Sequence, residues 1–396
     1  MLVIKNARLI DALGEKQGYL LIEEGKIKIL KTLEGHEDTP YLDLQGLTLM
    51  PAFCDTHAHF RDPGMTYKED LESGSRAALA GGYTTINLMA NTLPIVDSKD
   101  IYEDIIKRAR ALELIDIHQV MAVTKGFGGE ELIDFDQLPS SLRCISDDGK
   151  GILSNYAMYQ GCLKAKKKDL TIMVHAEDPQ LSPEDYRAAE DLITIRDVYL
   201  SGHLGAKIHF SHVSTKASME AIIEAKKRNF PVSCEVTPQH LVLWDHPYRV
   251  NPPIRIKEDA QFLIHAIKTG YVDAIGTDHA PHSQEDKKNG APGMIGLETA
   301  FGLCYTGLVE ENNLPLSQLS RIMSLGGLEV LGIKNRGLLE DGYDAHLVVV
   351  DLEKEYQIRE EDLHSKSKNT PFIGKKVRGQ VRMTLVGETI LYRRER

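Results

Sequence analysis

The chain has 396 residues, of which 42 % are hydrophobic and 27 % charged, and its formal net charge at pH 7 is -11. This composition is typical of a globular protein with one large domain or two smaller ones. The acidic charge argues against nucleic acid as a partner, because phosphate binding requires a basic face.

The cysteines and apolar runs exclude several further classes of protein. The five cysteines include no Cys-x-x-Cys pair, and no run of 18 apolar residues occurs. We therefore predict no disulfide framework, no zinc knuckle and no membrane span. Lys5 and Arg8 interrupt the first apolar stretch, so no signal peptide is predicted and we expect a cytoplasmic protein.

Both ends of the chain carry strand signals. Within residues 1–50, two β-rich runs at 19–22 and 27–30 flank a Gly-bearing turn and predict a hairpin. Residues 337–396 contain a further apolar run at 345–350 and another Gly-containing hairpin at 381–392. We expect the two ends to form one small β-sandwich domain.

The middle of the chain, residues 51–336, alternates strand and helix patterns. Helical spacing is clearest at 98–114 and 216–228. Such alternation predicts a parallel sheet, and eight units match an α/β fold of the (β/α)₈ TIM-barrel type. A doubly wound open sheet is the alternative, weakened because no Gly-x-Gly-x-x-Gly follows the first strand. The candidate strands are 52–58, 83–89, 117–123, 143–147, 171–175, 207–212, 231–236 and 272–277.

Histidine and aspartate side chains stand at five of these strand ends. Such residues at one rim of a barrel predict a metal site, because catalytic groups lie at the C-terminal ends of barrel strands. Taken singly, each could be a structural histidine or a solvated aspartate. Histidine nitrogen with carboxylate oxygen suits zinc, and manganese and iron also accept such ligands. The residues are His57 and His59, the pair Asp147-Asp148, His175, His212 and Asp278.

Motifs along nearly the whole chain resemble those of a known family. They include Pro-Ala-Phe-Cys-Asp-Thr-His-Ala-His-Phe-Arg-Asp-Pro-Gly, Asp-Asp-Gly, His-Ala-Glu-Asp, His-Val-Ser-Thr-Lys, Asn-Pro-Pro-Ile-Arg and Thr-Asp-His-Ala-Pro-His. In these motifs the chain resembles the bacterial class I dihydroorotases of the amidohydrolase superfamily. The resemblance implies a barrel joined to the small β domain, and the ring closure of N-carbamoyl-L-aspartate to L-dihydroorotate in pyrimidine synthesis.

The resemblance also implies one or two zinc ions per subunit. Their ligands would be His57, His59, His175, His212 and Asp278, with Asp148 bridging a second metal. The choice of Asp148 over Asp147 rests on resemblance alone. In the hydrolytic direction, hydroxide generated at the metal would attack the ring amide, with Asp278 as general base and acid.

An anionic substrate on an acidic protein requires a local cation. Arg61, two residues after His59, could hold the substrate carboxylate through its guanidinium group, or be a surface arginine. By resemblance, Asn91 and Asn251 complete the carboxylate pocket and His282 contacts the ring. Pro292 and Gly293 lie in a loop at 281–296 that could close over substrate or be inert.

Two alternative functions would each leave a different mark on the sequence. A hydantoinase or allantoinase would share the barrel and His-x-His, but those enzymes generally carry a carbamylated lysine where this chain has Asp147-Asp148. A non-catalytic subunit supporting an aspartate carbamoyltransferase would typically have lost metal histidines. Association with that transferase is compatible with catalysis, and a homodimer is suggested by the resemblance alone.

Overall fold

The computed structural model describes residues 1–395. Its N-terminal part consists of short strands, as the sequence predicts. The predicted hairpin is confirmed: β4 and β5 pair antiparallel with Ile22 opposite Ile27, and both Glu24 and Gly25 have positive φ, as a tight two-residue turn requires. The strands are β1 (Leu2–Lys5), β2 (Arg8–Asp11), β3 (Gly14–Lys16), β4 (Tyr19–Glu23), β5 (Lys26–Leu30), β6 (Tyr41–Asp43) and β7 (Thr48–Pro51).

Eight further strands follow in the middle of the chain, one for each predicted run. All pair in parallel, in a three-stranded sheet of order β10-β9-β8 and a five-stranded sheet of order β11-β12-β13-β14-β15. Single parallel bridges, Met121 to Ile145 and Ala58 to His279, link the ends of the two sheets. The strands are β8 (Phe53–Ala58), β9 (Tyr83–Leu88), β10 (Asp116–Gln119), β11 (Cys144–Ile145), β12 (Thr171–Val174), β13 (Ile208–Phe210), β14 (Val232–Val236) and β15 (Ala274–Ile275).

Helices connect these parallel strands. The predicted helices at 98–114 and 216–228 are present as α2 and α5. The side chain of Thr215 accepts a hydrogen bond from the Ser218 amide and so caps α5. The helices are α1 (Leu71–Ala80), α2 (Lys99–Ala111), α3 (Asn155–Lys167), α4 (Tyr186–Leu204), α5 (Lys216–Lys227), α6 (Pro238–Val242), α7 (Lys257–Lys268), α8 (Gln284–Lys288), α9 (Ala300–Cys304), α10 (Leu316–Ser320) and α11 (Gly326–Val330).

Shorter helical segments complete the connections. Two are single 3₁₀ turns, at Lys125–Phe127 and Glu360–Asp362. Two are π-helical: Tyr305–Glu310 continues from α9, and Arg321–Leu325 joins α10 to α11. Among the helices of residues 1–395, none is both long enough and apolar enough to cross a membrane.

The C-terminal strands return to the N-terminal ones. The strands β16 (His346–Gln357), β17 (Lys376–Val386) and β18 (Thr389–Arg393) join β7, β2 and β3 in a six-stranded sheet of order β18-β17-β16-β7-β2-β3. The predicted C-terminal hairpin is the β17–β18 pair, turning at Gly387 with positive φ. The remaining N-terminal strands form a four-stranded sheet of order β5-β4-β1-β6.

Two hydrophobic clusters are the largest of five in the described residues. The larger one includes Ile86, Ile172 and Phe210 from the parallel strands together with Ile222 and Leu263 from helices. A second cluster combines side chains of both terminal sheets, among them Leu20, Leu49, Leu347 and Leu385. Burying this apolar surface is the main force that holds the two chain ends together.

Candidate active site

The histidine and aspartate residues singled out in the sequence meet at one edge of the parallel strands. His57 lies within β8, and His59 follows that strand directly. The other four residues follow β11, β12, β13 and β15 within three positions. All six side chains are buried, namely His57, His59, Asp148, His175, His212 and Asp278.

The Asp148 carboxylate lies at the centre of this cluster. Its Oδ1 is 3.3 Å from Nε2 of His57, 3.4 Å from Nδ1 of His175 and 3.5 Å from Nε2 of His212. Its Oδ2 is 3.5 Å from Nε2 of His59. A single carboxylate therefore has histidine nitrogens around both of its oxygens.

Asp278 approaches the cluster from the last parallel strand. Its Oδ1 is 3.2 Å from Nε2 of His59 and 3.8 Å from Nε2 of His57. Ligand atoms of two groups, His57 with Asp148 and His212, and His57 with His59 and Asp278, lie close enough together to hold a metal ion. Imidazole nitrogens with carboxylate oxygens are ligands of zinc and of other divalent transition metals.

The hydrogen bonding of these residues fits a bound metal. Nε2 of His57 and Oδ1 of Asp148 are fully buried, and neither has a hydrogen-bond partner within residues 1–395. Buried polar atoms without a partner are costly, because they lose water and gain nothing in return. A cation between these two atoms would satisfy both.

The two neighbouring aspartates, which sequence alone could not separate, point to different surroundings. Oδ1 of Asp147 accepts hydrogen bonds from the backbone amides of Val123 and Thr124, at 2.7 and 3.0 Å. Its other oxygen accepts from the Thr124 hydroxyl. Asp147 therefore ties β11 to the segment after β10, whereas Asp148 faces the histidines.

Opposite charges dominate the pKa values in the cluster. Burial raises the pKa of the Asp148 carboxyl, but the neighbouring His57, His175 and His212 lower it well below its usual value. Burial likewise raises the pKa of Asp278, and His59, His57 and His212 outweigh that effect. Both carboxylates are consequently ionised at neutral pH and present charged oxygens.

Residues outside the predicted set orient the histidines. Glu235 in β14 places Oε1 3.0 Å from Nδ1 of His57 and Oε2 3.1 Å from Nε2 of His209. Oε2 of Glu177 lies 2.8 Å from Nε2 of His175. Each carboxylate holds the ring proton on the nitrogen that it contacts, Nδ1 in His57 and Nε2 in His175. The other ring nitrogen, which lies near Asp148, therefore keeps its lone pair. The sequence feature that could have identified Glu235 is its position as a carboxylate within the otherwise uncharged strand β14.

Glu235 is itself held ionised by its partners. Burial raises the pKa of its carboxyl, but hydrogen bonds with His209 and His57 lower it below its usual value. The Thr56 hydroxyl donates a further hydrogen bond to Oε2. The carboxylate therefore accepts from three side chains and joins β8, β13 and β14 beneath the cluster.

A cavity of about 210 Å³ opens over the cluster. The six residues predicted to bind substrate all line it, together with Asp148 and Asp278. They are Arg61, Asn91, Asn251, His282, Pro292 and Gly293. A second cavity of about 580 Å³, lined partly by Phe127 and the three residues after it, shares Gly149 and Asn251 with the first.

Arg61 is the cation inside the first cavity. Burial lowers the pKa of its guanidinium group to about 10, so the group stays charged at neutral pH. Its Nε donates to the Pro281 carbonyl at 3.3 Å, and its Nη2 lies 3.3 Å from Nε2 of His282. Asn91, another residue that lines the cavity, places Oδ1 2.7 Å from Nδ1 of His59.

The loop at 281–296 is tied to the cavity by its own contacts. It contains α8, capped by the Ser283 side chain. The Lys287 ammonium group donates to the carbonyls of Arg249, Ala291 and Gly293 at 3.1, 2.8 and 2.8 Å. These hydrogen bonds hold Gly293 against the cavity.

Comparison with known proteins places this architecture in a defined class. The amidohydrolase family profile matches residues 48–391. The structure superimposes on an L-hydantoinase from Arthrobacter aurescens with a TM-score of 0.91 and 24 % identity, covering 100 % of this chain and 96 % of that one. It also superimposes on a D-hydantoinase from Thermus sp. with a TM-score of 0.89 and 26 % identity, covering 99 % and 95 %.

Sequence relatives narrow the class. A dihydroorotase from Clostridium botulinum is 46 % identical over 397 residues, covering 99 % of this chain and all of the relative. A dihydroorotase from Elusimicrobium minutum is 37 % identical, covering 97 % of this chain and 96 % of the relative. The chain belongs to the amidohydrolase family and, within it, to the dihydroorotases, which are hydrolases of cyclic amides.

Proposed function

We propose that this protein interconverts N-carbamoyl-L-aspartate and L-dihydroorotate, the ring-closing step of pyrimidine synthesis. The observation that carries the proposal is one cavity with two kinds of group. Its floor holds the buried Asp148 and Asp278 among histidines, and its wall holds the charged Arg61. A cyclic amide with a carboxylate substituent requires both kinds of group in one cavity.

The fold proposal is a (β/α)₈ barrel of residues 51–336 carrying a β-sandwich domain of residues 1–50 and 337–396. Two parallel bridges, Met121 to Ile145 and Ala58 to His279, support joining the parallel sheets into one closed barrel. Backbone hydrogen bonds from Ser146 to Met121 and from His59 to His279, at 2.9 and 2.8 Å, lie at the same two junctions. The hydrophobic cluster shared by the terminal sheets supports the sandwich.

Zinc is the proposed cofactor, with one or two ions per subunit. The proposed ligands are His57, His59, His175, His212 and Asp278, with Asp148 as the bridging carboxylate. The Asp148 carboxylate supports two ions, because Oδ1 lies near His57, His175 and His212 while Oδ2 lies near His59. Zinc at this position would supply a lowered pKa for water and polarisation of the amide carbonyl.

Asp278 is the proposed catalytic acid and base. Its carboxylate is ionised and lines the cavity, so it can take a proton. In hydrolysis it accepts the proton of the attacking water and transfers it to the leaving ring nitrogen. In ring closure the same carboxylate removes the proton of the ureido nitrogen that attacks the carboxyl carbon. It then returns that proton to the departing carboxyl oxygen, whose bond to carbon breaks as water is released.

The wall of the cavity is the proposed binding site for the rest of the substrate. Arg61 holds the carboxylate, since a guanidinium group offers two parallel donors to two carboxylate oxygens. Asn91 and Asn251 complete this pocket. His282, Pro292 and Gly293 contact the ring.

A hydantoinase or allantoinase activity is the competing assignment, because the solved structures of similar fold include hydantoinases. Two features of this site argue against it. Asp148 lies where the carbamylated lysine of those enzymes is expected, and the buried Arg61 would face a ring without a carboxylate. An unpaired buried charge costs several kcal/mol, so such a pocket selects an anion.

The test is a turnover assay with metal analysis on the same preparation. We expect hydrolysis of L-dihydroorotate, bound zinc, and loss of turnover in Asp278→Asn with the fold retained. Arg61→Met is expected to raise KM for dihydroorotate and leave metal content unchanged. A folded, metal-containing protein that hydrolyses hydantoin or allantoin but not dihydroorotate would refute the assignment.

We further propose a homodimer, which could also associate with an aspartate carbamoyltransferase. In support, α4 exposes Leu192, Ile195 and Tyr199, whose spacing puts them on one face of the helix. Light scattering coupled to gel filtration would measure the mass. Substituting Ile195 and Tyr199 by glutamate is expected to yield monomers; an unchanged mass would rule out this face.

A further inference from the structure

A second cation lies behind the substrate cavity. Nζ of Lys68, in the segment before α1, is 3.5 Å from Nδ1 of His282. The other ring nitrogen, Nε2, lies 3.3 Å from Nη2 of Arg61. One imidazole is therefore placed between two positively charged groups, one at each nitrogen.

The hydrogen-bonding capacity of the ring cannot serve both neighbours. Burial, with Arg61 and Lys68 nearby, lowers the pKa of His282 to about 3, so the imidazole is neutral. A neutral imidazole has one N–H group and one lone pair, while lysine and arginine only donate. One cation can donate to the ring, and the other faces the ring proton.

The surrounding contacts make Lys68 the fixed partner. Its side chain is largely buried, and its ammonium group lies 3.4 Å from Oδ2 of Asp286 in α8. Its carbonyl accepts from the Ser367 hydroxyl at 2.8 Å. Asp286 is in turn held by the Ser283 amide and hydroxyl at 2.9 and 2.7 Å. Arg61, by contrast, lines the cavity, where an incoming anion would contact its guanidinium group.

We propose that Lys68 is a positioning residue for substrate binding: it donates to Nδ1 of His282 and thereby places the ring proton on Nε2. In that tautomer, Nε2–H and the Arg61 guanidinium group donate side by side toward one anionic ligand. The inference rests on the proposed function, because the anion in question is the substrate carboxylate. Lys68 itself does not contact substrate. It determines that the Nε2–H group of His282 is the ring donor that contacts substrate.

The tautomer can be read directly by ¹⁵N NMR of histidine-labelled protein, with the His282 signals assigned by a His282→Gln variant. We expect Nε2 protonated and Nδ1 unprotonated in the wild type, and loss of this preference in Lys68→Met. The KM for L-dihydroorotate should rise on the order of tenfold or more in Lys68→Met, with little change in kcat, because a hydrogen bond to a charged group is lost. Lys68→Arg should restore both readouts in part.

Two controls separate this role from general loosening. Lys366→Met removes an exposed lysine that contacts the Thr66 carbonyl and Asp70 outside the cavity, and should change neither readout. Asp286→Asn removes the charge beside Lys68 but keeps an oxygen that can accept from its ammonium group, so the tautomer should be preserved.

If NMR of the wild-type protein shows the His282 proton on Nδ1, that measurement alone overturns the proposal. So would a Lys68→Met protein whose tautomer is unchanged, even with a raised KM. Failure of the wild type to hydrolyse L-dihydroorotate would instead refute the proposed function and leave the tautomer measurement intact.

Discussion

Glu235→Gln tests how far the proposed metal site depends on the carboxylate beneath it. Glutamine keeps the shape of the side chain but replaces one acceptor oxygen by an NH₂ donor. Glu235 accepts from His57, His209 and the Thr56 hydroxyl, so the new donor must face a ring nitrogen or that hydroxyl. If it faces His57, the ring proton moves to Nε2, the nitrogen next to Asp148, and the lone pair needed by a metal is lost.

The expected cost follows from this change. Loss of an outer carboxylate partner typically weakens metal affinity by 10- to 100-fold, which corresponds to about 1.4 to 2.7 kcal/mol. Zinc affinity would be measured by competition with a chromophoric chelator, with circular dichroism to verify the fold. Glu72→Gln is the matched control, because Glu72 is exposed and pairs with Arg76 one turn along α1. Wild-type zinc affinity in folded Glu235→Gln would refute the argument.

Three further predictions follow from the same structure. Asp148→Asn should lose most bound zinc by elemental analysis. Asp147→Asn should retain zinc and lose stability, since Asp147 bonds to backbone amides and a hydroxyl group just after β10. Equal metal loss in both variants would contradict this division. Leu347 belongs to the buried cluster shared by the terminal sheets. Leu347→Ala should lower the free energy of unfolding by about 2–5 kcal/mol in urea titrations. A change below about 1 kcal/mol would mean that the sheets do not share a core. Removing metal with a chelator should lower Tm and abolish turnover, and added zinc should restore both. The change in Tm is expected because a ligand that binds only the folded state stabilises it by about 4 kcal/mol at a thousandfold excess over Kd.

Strand positions were largely predictable from the sequence, because each parallel strand is a short apolar run between turn signals. Strand lengths were less so. The strand predicted at 117–123 is regular only as far as Gln119, the end of β10. Met121 still forms a single bridge with Ile145, but the next amide, that of Ala122, bonds to the Val96 carbonyl at 2.8 Å. Closure of the strands into one barrel stays a prediction, supported by the single bridges at the two junctions.

The candidate site shows a similar limit. Residues at strand ends could be grouped because parallel strands end at one edge. Asp147 and Asp148 could not be separated, since neighbours on an irregular segment have no periodicity to sort them. Lys68 was missed because it lies in a polar stretch that predicts only a turn, and tertiary folding brings it to His282 across 214 residues. Long-range polar contacts of this kind leave no local pattern.

The pairing of β7 with β16 has a consequence for how the protein is made. Leu347 lies opposite Pro51 and Val350 opposite Thr48, roughly 300 residues apart in sequence. At a ribosomal rate of about 5–20 residues per second, β7 leaves the exit tunnel about 15–60 s before its partner. During that interval one edge of β7 lacks its neighbour, and β7 directly precedes β8, which contains His57. An exposed strand edge can pair with other chains. A nascent chain stalled before residue 346 should therefore engage chaperones, while release past β17 should free it.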